Sequence, residues 1–143
     1  MSGWRRGRPD DEQGSVLLLT LGYAVLALVA VLICVDATDL YLAQKRLDSL
    51  ADAAALAGAE GFTLAFDDSA APTARLSADR VRAQAEAMVT DVGGDAVLVA
   101  AGTPDGLSAR VTVAGVWHPP VLTVFVPDGL GLEATATSRT ALR

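Results

Sequence analysis

The sequence predicts an α+β protein in which one long N-terminal helix is followed by a second helix and a small antiparallel sheet. Three observations lead to this fold class. The run Ser15–Val35 is apolar and uncharged, and helical spacing of apolar residues continues beyond it to Ala59. After residue 95, short runs of alternating apolar residues are separated by turn-forming Gly and Pro residues, which is typical of antiparallel strands.

The run Ser15–Val35 predicts a membrane-spanning helix, because about 20 apolar residues suffice to cross the hydrocarbon core of a bilayer. Basic residues near a membrane helix favour the cytoplasmic side. The N-terminal segment carries three of them, Arg5, Arg6 and Arg8, whereas Lys45 and Arg46 stand some ten residues beyond the run. We therefore expect a single-pass protein of the cell membrane. Residues 1–14 form its cytoplasmic tail, and the C-terminal part is extracytoplasmic.

A retained anchor agrees better with the sequence than cleavage as a signal peptide or lipid attachment. A cleaved signal peptide has an apolar core of only 7–15 residues. The sequence Val35-Asp36-Ala37 weakly resembles a cleavage site, but the run is too long and the helical pattern crosses that point. Lipid attachment at Cys34 would require a small residue before it, and Ile33 stands there. With a single cysteine, the chain has no internal disulfide and no multi-cysteine metal site.

The segment 36–61 is predicted to continue the same helix outside the membrane. Apolar residues recur every three or four positions, as on one face of an amphipathic helix. These residues are Leu40, Ala43, Leu47, Leu50, Ala54 and Ala57. Gly58 and Gly61 end the pattern, so the whole helix would run from Ser15 to Ala59 over about 68 Å.

Small residues recur along this helix and predict surfaces for packing against partner helices, because small side chains allow close approach. Within the membrane run they are Thr20, Ala24, Ala27 and Cys34. Beyond the run they are Ala51, Ala55, Gly58 and Ala59.

Two acidic residues, Asp36 and Asp39, stand three positions apart where the helix leaves the apolar run. Both are expected to face solvent. One interpretation is that they mark the boundary between lipid and water. The other is that they pair with a cation on a neighbouring protein.

Residues 62–143 are predicted to form a small α+β extracytoplasmic domain. The segment 63–72 is predicted to be a loop, and Ser77 to be the N-cap of a helix over 78–92 that Gly93-Gly94 ends. Strands are expected at 96–101, at 107–117 and from Leu130 onward, with a turn at 103–106. The apolar segment 121–126 is either a strand or a short packed helix, so the sheet has three or four strands. Trp117 is expected in the core.

Charge and motif content exclude several classes of function. The net charge is −6, and beyond the apolar run 14 acidic residues outnumber 8 basic ones, which argues against a nucleic-acid partner. The single histidine, His118, has no evident catalytic partner, and no phosphate-binding motif or metal-ligand pattern is present. Asp67-Asp68 is expected to be a solvated turn. We therefore predict no enzyme activity, no catalytic residue, no cofactor, no metal and no small-molecule substrate.

The N-terminal third of the chain resembles a known module. DEQGSV, beginning at Asp11, is followed by the apolar run and then by VDATDLYLAQKRLDSLADAAALAGA. This pattern is similar to the N-terminal module of TadE/TadG-like proteins of bacterial tight-adherence (Flp-type) pilus systems. The resemblance implies a minor pilin, a pseudopilin or an envelope assembly component. In such proteins a long pilin-like helix is both membrane anchor and packing rod, and the partners are other pilus or secretion subunits.

Two departures from the family pattern bear on this expectation. Members cut by a prepilin peptidase carry a glutamate five residues after the cleavage glycine. With Gly14 as that glycine, Leu19 occupies the position, so the chain is expected to remain anchored. The metal-binding Asp-x-Ser-x-Ser motif of larger members is also absent. Two alternatives remain: a free-standing ligand-binding or sensor domain on a membrane anchor, and a secreted protein released by signal peptidase.

Overall fold

The computed structural model describes residues 10–65 and 73–139. In chain order the elements are α1 (Asp10–Glu60), β1 (Thr63–Ala65), β2 (Thr73–Arg75), α2 (Ala78–Val92), β3 (Val97–Gly102), β4 (Ser108–Trp117), a 3-10 turn (Leu122–Val124) and β5 (Leu130–Arg139). This order confirms the α+β fold predicted from the sequence.

The long helix α1 is continuous over 51 residues, which corresponds to about 77 Å. It begins at Asp10, five residues before the predicted start. The acidic sequence DDE at this end favours an earlier start, because negative charge stabilises the positive end of a helix. Of the predicted tail, residues 10–14 are therefore helical and residues 1–9 lie outside the described part of the chain.

The main sheet has three antiparallel strands in the order β3-β4-β5. Strands β4 and β5 pair along their whole length, from Ser108 opposite Arg139 to Trp117 opposite Leu130. A separate ribbon pairs β1 with β2, so the prediction of a loop from residue 63 is wrong for residues 63–65. Three-residue strands are too short to produce a recognisable alternation. Residues 66–72, including Asp67 and Asp68, lie outside the described residues.

The core lies between the sheet, α2 and the C-terminal half of α1. On β4 the sequence alternates Ala109, Val111, Val113 and Gly115 with Arg110, Thr112 and Ala114. The first three of that apolar set are fully buried, whereas Gly115 is half-buried. The other elements contribute Val81, Ala85 and Val89 from α2, Ala134 and Ala136 from β5, and Leu47, Leu50, Ala51, Ala54 and Ala55 from α1. Because so many of these side chains are alanines, the helices approach each other and the sheet closely.

The helix α2 has the predicted bounds, Ala78–Val92. Ser77 takes the extended backbone of an N-cap, although its side chain makes no capping hydrogen bond. After the helix, Gly94 has a φ of +58°, a conformation that glycine adopts without steric cost.

The segment 121–126 differs from both predicted forms. It contains only one 3-10 turn, Leu122–Val124, and its large side chains are not packed in the core. Val124 is 87% exposed and Phe125 is 80% exposed. The apolar composition therefore does not reflect burial within this chain.

The turn between β3 and β4 is organised by Asp105. Its Oδ1 atom accepts hydrogen bonds from the backbone N–H of Leu107 at 3.0 Å and from the backbone N–H and hydroxyl of Ser108, both at 2.7 Å. These bonds lower the pKa of Asp105 well below its usual range. The bond from the Ser108 hydroxyl makes the largest contribution, and the two backbone N–H bonds follow. Gly106 has a φ of +71°, which completes the turn.

We expect acidification to weaken this turn. Because the pKa of Asp105 is lower in the folded chain than in the unfolded one, its stabilising contribution is present above about pH 4, the ordinary aspartate pKa, and is lost as the pH falls further. Urea unfolding at a series of pH values should therefore show a shallower acid-side loss of stability in Asp105→Asn than in the unmodified chain. Identical slopes would contradict this role. The matched control is Asp128→Asn, because Asp128 is exposed and no side-chain hydrogen bond is described for it.

Candidate functional site

The first acidic residue after the apolar run, Asp36, is buried, with an exposed fraction of 5%. Its Oδ1 atom accepts a hydrogen bond from the backbone N–H of Val121 at 3.1 Å. Its Oδ2 atom is also buried and has no hydrogen-bond partner. The expectation that Asp36 faces solvent is therefore wrong, because the segment that follows β4 covers it.

Asp39 lies one turn further along α1 and is half-buried. Its Oδ2 atom accepts a hydrogen bond from the indole N–H of Trp117 at 2.8 Å. Trp117 is thus half-buried at the end of β4 rather than a core residue. Asp36 and Asp39 together bind the chain's own β4 end. We call Asp36, Asp39, Trp117 and Val121 the exit contact.

The small residues in the second half of α1 are covered by the chain's own domain. Ala51, Ala55 and Ala59 are at most 3% exposed. A Cβ added to Gly58 would lie 3.0 Å from Cγ1 of Val81 on α2. Because these four positions meet α2 and the sheet, they leave no surface for a partner helix, and their assignment to partner packing is corrected to intramolecular packing.

The small residues in the first half of α1 are in a different situation. Thr20, Ala24, Ala27 and Cys34 are all exposed, and no other element of the described chain packs on this half of the helix. The hydroxyl of Thr20 donates to the carbonyl of Val16 at 2.8 Å, so it brings no unpaired donor into an apolar environment. A role for this face in helix packing remains a prediction.

A groove of about 630 Å³ lies between α1, the α2–β3 turn and the end of β4. Most of its lining is apolar, and its polar groups include Arg46, Asp95 and His118. His118 is exposed. Within the described ranges, no three His, Cys, Asp or Glu residues are grouped closely enough to hold a metal ion.

The geometry defines a class of protein: a small α+β domain carried on one long helix. The N-terminal half of that helix is long and apolar enough to cross a membrane. Residues 14–61 match the family model described as "Putative Flp pilus-assembly TadE/G-like", which confirms the resemblance seen in the sequence. The match covers 48 of the 143 residues, most of α1, and leaves the sheet outside it. No curated protein and no solved structure matches the chain.

Sequence reasoning missed the exit contact and the segment that forms it. Periodicity places Asp36 off the apolar stripe of α1, and nothing in the local pattern links it to Val121, 85 residues away. One indication was available: the segment 121–126 is almost entirely apolar yet follows two prolines, which separate it from β4.

Proposed function

We propose that this protein is a membrane-anchored, non-enzymatic subunit of a Tad/Flp-type pilus or a related secretion apparatus, similar to a minor pilin or pseudopilin. The observation that carries the proposal is that the pilus-assembly match, residues 14–61, coincides with α1. In this proposal residues 1–14 are cytoplasmic, 15–35 cross the membrane, 36–61 continue the helix outside and 62–143 form the extracytoplasmic domain.

The two halves of α1 would then have separate tasks. The second half holds the domain together, because its alanines are buried against α2 and the sheet. No element among residues 10–65 and 73–139 covers the first half, which in this proposal meets lipid or other membrane helices. The face formed by Thr20, Ala24, Ala27 and Cys34 is the one on which neighbouring subunits could approach closely.

The protein is proposed to stay anchored rather than to be cut after Gly14. Leu19 takes the place of the glutamate that processed relatives of this class carry. A retained anchor fits a role in assembling the pilus at the membrane.

The proposal is tested by enlarging the small-residue face. In the double variant Ala24→Leu, Ala27→Leu, we expect recovery of Tad-type membrane subunits with the tagged full-length chain from native membranes to fall about tenfold. The larger side chains keep neighbouring helices apart, and extra methylene groups in a packed contact cost about 1–3 kcal/mol. The control is Gly22→Leu, which lies about 160° around the helix from Ala24. Equal partner recovery in both variants and the unmodified chain would contradict the proposal for this face.

A second candidate function is a ligand-binding or sensor domain that uses α1 only as an anchor. The groove favours it, because its volume of about 630 Å³ is in the range of small-molecule sites. A compound that raises the unfolding temperature of the full chain, and loses that effect in Arg46→Ala, would support this candidate. The absence of Tad-type subunits among co-purified proteins would strengthen it.

A further inference from the structure

The strand β4 runs antiparallel to α1 and leads the chain back toward the membrane run. Successive contacts between the two elements move steadily toward the N-terminal half of α1. A Cβ on Gly58 would lie 3.3 Å from Cβ of Ala109, and one on Gly115 would lie 3.6 Å from Cδ1 of Leu47. Further along, the indole N–H of Trp117 donates a hydrogen bond to Asp39, and the backbone N–H of Val121 donates one to Asp36. The connection between β4 and β5 therefore lies at the level where the uncharged run ends.

This connection presents an exposed apolar surface, which we call the hairpin tip (residues 121–126, VLTVFV). Val124 and Phe125 are 87% and 80% exposed, more than any large apolar residue of the membrane run, where the maximum is 75% at Leu17. Adjacent exposed apolar side chains of this kind are typical of a surface that meets a protein partner or a membrane.

Several polar groups of the hairpin tip are hydrogen-bonded within the chain. The N–H groups of Phe125 and Val126 donate to the carbonyl of Leu122 at 2.9 and 3.0 Å. The hydroxyl of Thr123 donates to the carbonyl of Pro119. The tip itself contains no charged residue, and Asp128 is the nearest in sequence. At the acyl–headgroup boundary the remaining polar groups of an uncharged loop stay hydrated while its apolar side chains enter the lipid.

We propose that the hairpin tip inserts into the same bilayer that α1 crosses, on the side where α1 leaves it. The occupant is lipid because Val121, the first residue of the tip, is hydrogen-bonded to Asp36, the first residue after the uncharged run. The tip therefore begins at the level where that run ends. Val124 and Phe125 enter the acyl–headgroup boundary, with no cationic group to bind a phosphate. The domain is thereby attached to the membrane at two points, which restrains its tilt and rotation about α1. This inference rests on the proposed membrane anchor.

Spin labels on the full-length chain in phosphatidylcholine vesicles test the insertion. In a Cys34→Ala background, single cysteines are placed by Phe125→Cys at the tip, Val25→Cys at the centre of the run and Leu56→Cys on the exposed face of α1. Leu56 is about 30 Å beyond Asp36 along the helix. The ratio of collisions with oxygen to collisions with a water-soluble nickel chelate reports depth. We expect this ratio at 125 to exceed that at 56 several-fold and to approach the value at 25.

The possible outcomes separate this inference from the anchor proposal. A lipid-like ratio at 25 with a water-like ratio at 125 would overturn insertion of the tip while the anchor stands. Protection of 125 from both relaxing agents would also overturn it, because the tip would then be covered by protein, including a second copy of the chain. Water-like ratios at both 25 and 125 would overturn the anchor and the inference together.

Discussion

Replacing Ala55 with leucine is expected to lower the free energy of unfolding of the domain by about 1–3 kcal/mol, because extra methylene groups are forced into a packed core. Ala55 is fully buried in the cluster that joins α1 to α2 and the sheet. The loss is measured by urea unfolding of the full-length chain in a non-ionic detergent, followed by circular dichroism.

The matched control is Ala37→Leu, the same substitution at an exposed position of the same helix. It should leave the unfolding midpoint almost unchanged. Equal stability of both variants would mean that Ala55 is not covered by the domain, and would restore this face as a candidate partner surface. A loss of partner binding after substitution of Ala51 or Ala55 would therefore follow from unfolding of the domain.

Replacing Leu26 with arginine is expected to raise the free energy of membrane insertion by about 3 kcal/mol, the cost of a charged side chain near the centre of a spanning helix. Leu26 stands one residue from the midpoint of the run Ser15–Val35 and is 63% exposed, so no other part of the described chain shields it. The measurement is the fraction of chain that resists alkaline carbonate extraction from membranes, which should fall sharply.

The control for this variant is Leu56→Arg. Leu56 is 55% exposed on the same helix, but it lies beyond the run and beside the folded domain. Its substitution should leave extraction resistance unchanged. Loss of membrane association in both variants would indicate a general folding defect, whereas retention in both would contradict a spanning role for Ser15–Val35.

Much of the fold follows from local patterns. The sequence predicts the helix α2 with its observed bounds, and three of the four residues that alternate on β4 (Ala109, Val111 and Val113, but not Gly115) are buried. The turn containing Asp105 and Gly106 was recognised from residue types alone. These features depend on residues two to four positions apart, which is the range over which periodicity carries information.

The candidate sites were predicted less well, because they depend on contacts between distant segments. The alanines of α1 form a recognisable small-residue surface, but the sequence does not indicate whether that surface meets a partner or the chain's own sheet. Asp36 was expected in water and is covered by the segment around Val121. The apolar segment 121–126 was expected to be packed and is exposed at the hairpin tip.

The uncharged run that predicts a membrane anchor, and its continuation into an amphipathic helix, could be recognised without coordinates, because helical spacing and hydrophobic length are local properties of the chain. Only the tertiary structure decided which half of that helix is covered by the chain's own domain and which half is exposed. Its C-terminal half is buried because β4 folds back along it and covers its alanines. Its N-terminal half meets no other described element, because the returning chain turns at Asp36, where the uncharged run ends.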